Sequence, residues 1–161
     1  MGMDVYGRKP KNETGEYFRR NVWGWRPLWD YCCEANPQIT SKVENGHSND
    51  GDGLNASDTF KLAKSLKANL VNGEAEKYVK ERQEFLDSLP LEDCQYCSTT
   101  GQRIWQPGEG SNNTDKVQTK TCNACSGIGK SKSWATSYYL DLQDIQEFHD
   151  FLVYSGGFNI Y

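Results

Sequence analysis

Two cysteine pairs carry the strongest chemical signal in the chain. Cys94-Gln95-Tyr96-Cys97 and Cys122-Asn123-Ala124-Cys125 each space two thiols so that one tight turn presents both to a single ion. The 24 residues between them, 98 to 121, are enough for a hairpin or loop that brings the second turn to the first. Four thiolates around one ion favour tetrahedral zinc, so the expected cofactor is Zn, held by Cys94, Cys97, Cys122 and Cys125. Such a site is closed: no position remains for water or substrate, and the expected role is structural. Gly101 after the first pair, and Gly127 and Gly129 after the second, let the turns curl until backbone N–H groups point at sulfur. A redox dithiol or a disulfide is the competing reading of the same cysteines.

Three further groups of residues could do chemistry. The run Glu16-Tyr17-Phe18-Arg19-Arg20-Asn21-Val22-Trp23-Gly24-Trp25-Arg26-Pro27-Leu28-Trp29 is dense in rings and cations. It reads either as an aromatic core corner or as a ligand or partner surface built from Arg19, Arg20, Trp23, Trp25 and Arg26. The polar loop around His47, Asn49, Asp50 and Asp52 suggests calcium or acid/base work, but an EF-hand alignment lacks its leading acid and its final Glu. Its simpler reading is a turn and helix cap. From Gly101 to Lys132, Arg103, Lys116, Lys120, Lys130 and Lys132 stand against Glu109 and Asp115, a basic excess that with Trp105 and Trp134 could touch nucleic acid. Cys32 and Cys33 show no adjacent base, and His149 reads as a helix-face residue.

These groups must be positioned by a chain of modest apolar content. Its 161 residues carry 18 Lys+Arg, 22 Asp+Glu and 36% hydrophobic residues, for a net charge of -4. That composition excludes a large aliphatic core, and the 5 Trp, 9 Tyr and 6 Phe make up part of the deficit, because an aromatic ring buries about 150–250 Å². The acidic balance disfavours dedicated phosphate binding. No apolar run approaches the roughly 20 residues needed to cross a bilayer, and Met1-Gly2-Met3-Asp4 lacks a basic and apolar leader. A cytoplasmic, membrane-free location is therefore expected, where clustered cysteines bind metal more often than they pair.

The elements read as α+β: a small helical domain spanning 1–161, with a short terminal sheet and an inserted four-cysteine hairpin at 91–132. Pro27 opens a short helix to Ala35. Asn55 caps a helix with Phe60, Ala63, Leu66 or Lys67 and Leu70 inward, ending at Asn72-Gly73, and a second helix runs from Glu74 to Leu89. Trp134 to Leu140 alternates like a strand. Asp141 and Asp144 cap a last helix, and Phe158 to Tyr161 forms a closing strand, paired with Asp4-Val5-Tyr6.

The continuation Cys125-Ser126-Gly127-Ile128-Gly129 resembles the CxxCxGxG knuckle of J-protein chaperones, although Thr99 replaces the corresponding first glycine in the other pair. Only two knuckles are present where those chaperones have four, and the His-Pro-Asp tripeptide is lacking, so chaperone function does not carry over. Met3-Asp4-Val5-Tyr6-Gly7, Tyr17-Phe18-Arg19, Val22-Trp23-Gly24-Trp25-Arg26-Pro27-Leu28, Asn49-Asp50-Gly51-Asp52-Gly53 and Gly156-Gly157-Phe158 resemble a group of uncharacterised small proteins of phages and bacteria. That resemblance implies a phage or mobile-element accessory protein and supplies no activity. The expected function is a non-enzymatic, zinc-binding regulatory module with a protein partner. The alternatives are a small-ligand or nucleotide binder using the Trp/Arg segment, nucleic-acid binding through the basic hairpin, and an enzyme using His47, Asp50 and Asp52.

Overall fold

In a computed structural model, which describes residues 2–105 and 118–161, the chain is α+β and forms two compact units. The first comprises Met1–Asp87 and Ser137–Tyr161, the second Ser88–Thr136. The second unit extends three residues before and four residues beyond the 91–132 segment expected from the cysteines.

In the first unit, β1 (Gly2–Gly7) pairs antiparallel with β2 (Tyr17–Asn21) on one side and with β8 (Gly157–Ile160) on the other. β3 (Gly53–Asn55) joins the far edge of β8, giving the order β2-β1-β8-β3. The expected terminal pairing is present, with Val5 opposite Ile160 and Tyr6 opposite Asn159. Met3, Val5, Phe18, Leu54, Phe158 and Ile160 point to one face and are buried there.

Three helices, α1 (Val22–Ala35), α3 (Ala56–Asn72) and α5 (Leu142–Ser155), supply the other half of the core, with α2 (Pro37–Thr40) as a short connector and α4 (Glu74–Ser88) after α3. Local chemistry sets their ends. The side chains of Asn21, Asn36 and Asn55 accept from the backbone N–H three residues on, at 2.9, 3.2 and 3.0 Å, satisfying donors that helix starts leave orphaned. Gly73 separates α3 from α4 in the left-handed conformation, φ 85°. At α5, Asp144 accepts from the Asp141 backbone N–H at 3.4 Å.

Three sequence expectations are corrected. α1 begins at Val22, five residues before Pro27, because Asn21 provides the cap and Pro27 removes only one intrahelical donor. Residues 134–137 form a 3-10 turn in place of a strand. On α3 the buried stripe is Asp58, Thr59, Leu62, Ala63 and Leu66, which turns Phe60 outward.

The core is a lattice of rings. Trp25 stacks on Trp29 at 5.6 Å and meets Phe148 edge-on at 5.6 Å, and Phe148 stacks on Phe151 at 5.9 Å. The Trp25 indole donates to the carbonyl of Gly46 at 2.8 Å, so its one polar atom is satisfied inside. Gly46 must lack a side chain, since a Cβ there would lie 2.0 Å from Trp29 Nε1. Buried Asp58 is neutralised by Lys42 at 2.7 Å and Lys61 at 3.4 Å, and its carboxyl is held below the usual aspartate value chiefly by the Lys42 hydrogen bond. No helix among the described residues is long and apolar enough to cross a membrane.

Candidate metal centre

The second unit is built around sulfur. Its strands are short, β4 (Glu92–Asp93) with β7 (Lys130–Ser131) and β5 (Gln102–Trp105) with β6 (Gln118–Thr121), and their pairing brings the two cysteine turns face to face. Cys94, Cys97, Cys122 and Cys125 are all buried and form a cluster of their own, their sulfurs within 4.8 Å of one another.

The two turns repeat one backbone design at an offset of 28 residues. Ser98 and Ser126 have φ 47° and 50°, Thr99 and Gly127 67° and 84°, and Gly101 and Gly129 71° and 80°. The exchange between the turns is reciprocal: Cys94 N–H donates to the Gly129 carbonyl at 2.9 Å, and Cys122 N–H to the Gly101 carbonyl at 2.8 Å. A Cβ on Gly101 would lie 2.1 Å from the Gly127 carbonyl oxygen, and one on Gly129 would lie 2.1 Å from that of Thr99. These two glycines are therefore required twice, by conformation and by close approach.

The donor set fits a tetrahedral ion. With metal–sulfur bonds of about 2.3 Å, the edge of a sulfur tetrahedron is about 3.8 Å. The Cys94–Cys122 and Cys97–Cys125 sulfurs are 3.9 and 3.6 Å apart. All four thiols are free, at separations far beyond the roughly 2.05 Å of a disulfide. Burial opposes ionisation of Cys125, but the Gly129 N–H, donating to its sulfur at 3.3 Å, together with the Cys97 and Cys122 thiols and the Gly127 N–H, outweighs that cost and holds the thiol at about 7. Burial and the neighbouring thiols push Cys97 up to about 11. One sulfur of the cluster is thus disposed to ionise first, as a thiolate ligand must.

Thr99 is the irregular member of the pair. It adopts φ 67°, where its counterpart is Gly127, and a β-branched residue is strained in that region. Thr99→Gly is expected to raise the midpoint of metal removal by chelator, corresponding to about 1 kcal/mol, whereas Gly101→Ala should lower it. Chelator titration followed by circular dichroism measures both.

The remaining sequence candidates are dispersed. Trp25 is fully buried and belongs to the core, which removes it from any surface. Arg20 ion-pairs with Asp144 at 2.7 Å and with Glu147, tying β2 to α5, and Arg19 lies 3.4 Å from Asp4 on the paired strand. Trp23, 39% exposed, packs on Tyr138 at 4.7 Å, and the Arg26 guanidinium lies over the same ring at 6.0 Å. Tyr138 is the residue of this group that sequence reasoning missed, because its expected strand is absent. His47 turns to Asp30 at 3.1 Å. Asp52 accepts from the backbone N–H groups of Asn45 and Gly53 at 2.9 and 2.7 Å, Asp50 accepts from Ser48, and Asn49 donates to the Gly2 carbonyl at 3.1 Å. The loop thus uses these polar groups to hold its own shape. Cys32 is buried and its thiol is pushed well above its ordinary value by burial, the opposite of a nucleophile. Glu109, Asp115 and Lys116 of the expected basic hairpin lie outside the described residues.

Fold and site together define an α+β protein with four clustered cysteines that could hold a metal ion. Comparison with protein-family models, with curated proteins and with solved structures gives no match.

Proposed function

We propose that this chain is a non-enzymatic interaction protein in which zinc organises one unit and the other presents a docking surface. The observation that carries this reading is the donor set: four buried cysteines lie with their sulfurs within 4.8 Å of one another, and four thiolates on one tetrahedral ion would leave no position for water or substrate. Exposed Trp23 and Arg26 beside half-buried Tyr138 support it, since Trp, Tyr and Arg dominate binding hot spots. The sequence likeness to small phage and bacterial proteins makes a host macromolecule the natural target.

The test is affinity capture from cells producing the protein, with Trp23→Ala/Arg26→Ala as the comparison. Stoichiometric capture by wild type and at least tenfold less by the variant is the expected result. Equal retention by both proteins would remove this surface, and no stoichiometric capture by wild type would defeat the interaction reading itself.

One observation favours a second reading. In the cysteine unit the Arg103 guanidinium lies 5.6 Å over the ring of Tyr96, which is exposed, a pairing suited to stacking on a nucleic-acid base. Salt-dependent binding of a single-stranded oligonucleotide, lost in Tyr96→Ala, would establish it; absence of binding at low salt would end it. A nucleotide pocket from the original Trp/Arg set has less support, because Trp25 is internal and Arg20 is committed to two carboxylates.

A further inference from the structure

A polar cavity of about 340 Å³ is lined by α1, α4 and the end of α3, and none of the chemistry described so far uses it. From α4 come Glu74, Lys77, Tyr78 and Glu81, at the i, i+3, i+4 and i+7 spacing that puts side chains on one helix face. Tyr31 and Glu34 come from α1, and Asn69 from α3. The charge is unbalanced: three carboxylates stand against one ammonium, and none of the four forms an ion pair among the described residues.

A second observation is independent of charge. Tyr31 is 2% exposed, and its enclosed hydroxyl has no hydrogen-bond partner; Asn69 stands beside it without completing a bond. Apart from the adjacent Cys32, the groups that act on that hydroxyl are Asn69, Glu34 and Tyr78. All three line the cavity, so the polar end of Tyr31 is turned towards it. An enclosed polar atom without a partner is rare in a folded protein and points to a missing one.

We infer that this cavity binds an aliphatic polyamine, a flexible methylene chain carrying several ammonium groups. The three carboxylates do not converge as chelating ligands do, since among the described residues only the four cysteines bring such donor atoms together around one point. Charge distributed around a cavity suits a ligand whose own charges are spaced along a chain. The volume lies at the low end of small-molecule sites, about 300–1,000 Å³. The Tyr31 and Tyr78 rings, tilted at 4.8 Å, give the methylenes apolar flanks and the ammonium groups a π-face. An ammonium N–H donating to the Tyr31 oxygen would supply the partner that this atom lacks. Lys77 repels such a ligand, which gives the proposal a signed test.

The experiment is isothermal titration of the full chain with spermidine at low ionic strength, with thermal melts to verify that each variant folds. About one site per chain is expected, with affinity lowered about tenfold in Glu34→Gln/Glu81→Gln. Tyr31→Phe, which changes no charge, should lower it roughly threefold, and Lys77→Gln should raise it. Glu76→Gln/Glu84→Gln removes the same charge from exposed positions of α4 outside the cavity and should bind as wild type does. Equal weakening by the two glutamine pairs, or a Tyr31→Phe variant that binds unchanged, overturns the proposal, because either reduces binding to general attraction by an acidic chain. So does the absence of spermidine binding. Magnesium that displaces spermidine at equal concentration, or an oligolysine peptide that binds more tightly with the same dependence on Glu34 and Glu81, would reassign the cavity to a metal ion or to a basic segment of a partner and likewise overturn it.

Discussion

Replacing Cys94 or Cys122 with Ser is expected to abolish zinc binding and to unfold the Ser88–Thr136 unit while the aromatic-cored unit stays folded. Among the described residues, the second unit has little else to hold it. Its buried hydrophobic cluster among the described residues consists of the four cysteines alone, and each of its two sheets has two strands, an arrangement marginal in water. On the proposed reading metal binding supplies its folding free energy, an apparent stabilisation on the order of 10 kcal/mol for small four-ligand modules. Protons compete for the same sulfurs, so the metal should be lost progressively as pH falls below the point at which thiolates can form. Elemental analysis should give about one zinc per chain, falling to none in either variant. Amide hydrogen exchange should show protection lost across 88–105 and 118–136 and retained in the sheet of the first unit. A folded second unit without metal would refute the assignment.

The second large effect separates two tryptophans that are neighbours in sequence. Trp25→Ala should cost about 3–5 kcal/mol for the ring and its cavity, with up to roughly 1–3 kcal/mol more where the Gly46 carbonyl loses its donor. Against a typical domain stability of about 5–15 kcal/mol, that can leave the unit largely unfolded at physiological temperature. Trp23→Ala removes a ring in contact with Tyr138 and should cost only about 1 kcal/mol. Urea denaturation monitored in the far ultraviolet gives both values. Equal losses in the two variants would mean that the core and surface roles have been misassigned.

The contrast between these residues explains what was legible in the sequence. The four-cysteine cluster was readable because a two-residue gap between cysteines fixes their geometry within one turn, whatever surrounds it. The helix ends at Asn55, Gly73 and Asp141 were readable for the same local reason, as was the closing strand, whose apolar residues demanded a partner. The roles of Trp23 and Trp25 depended on secondary structure that the sequence left ambiguous. In an extended chain residues two apart share a face; on a helix they stand about 200° apart, and once Asn21 starts the helix one ring turns inward and the other outward.

Phe60 makes the same point on α3. Two overlapping apolar stripes fit its sequence, and choosing between them required knowing where β8 and α5 lie. Composition and spacing by themselves determined the α+β class, the four cysteines and the helix ends at Asn55, Gly73 and Asp141, all products of interactions within a few residues. Tertiary structure alone decided that Arg20 ties β2 to α5, that His47 faces Asp30 and that a cavity stays open between α1 and α4. Burial and pairing at these sites join residues distant in sequence, and no local pattern specifies which of them will meet.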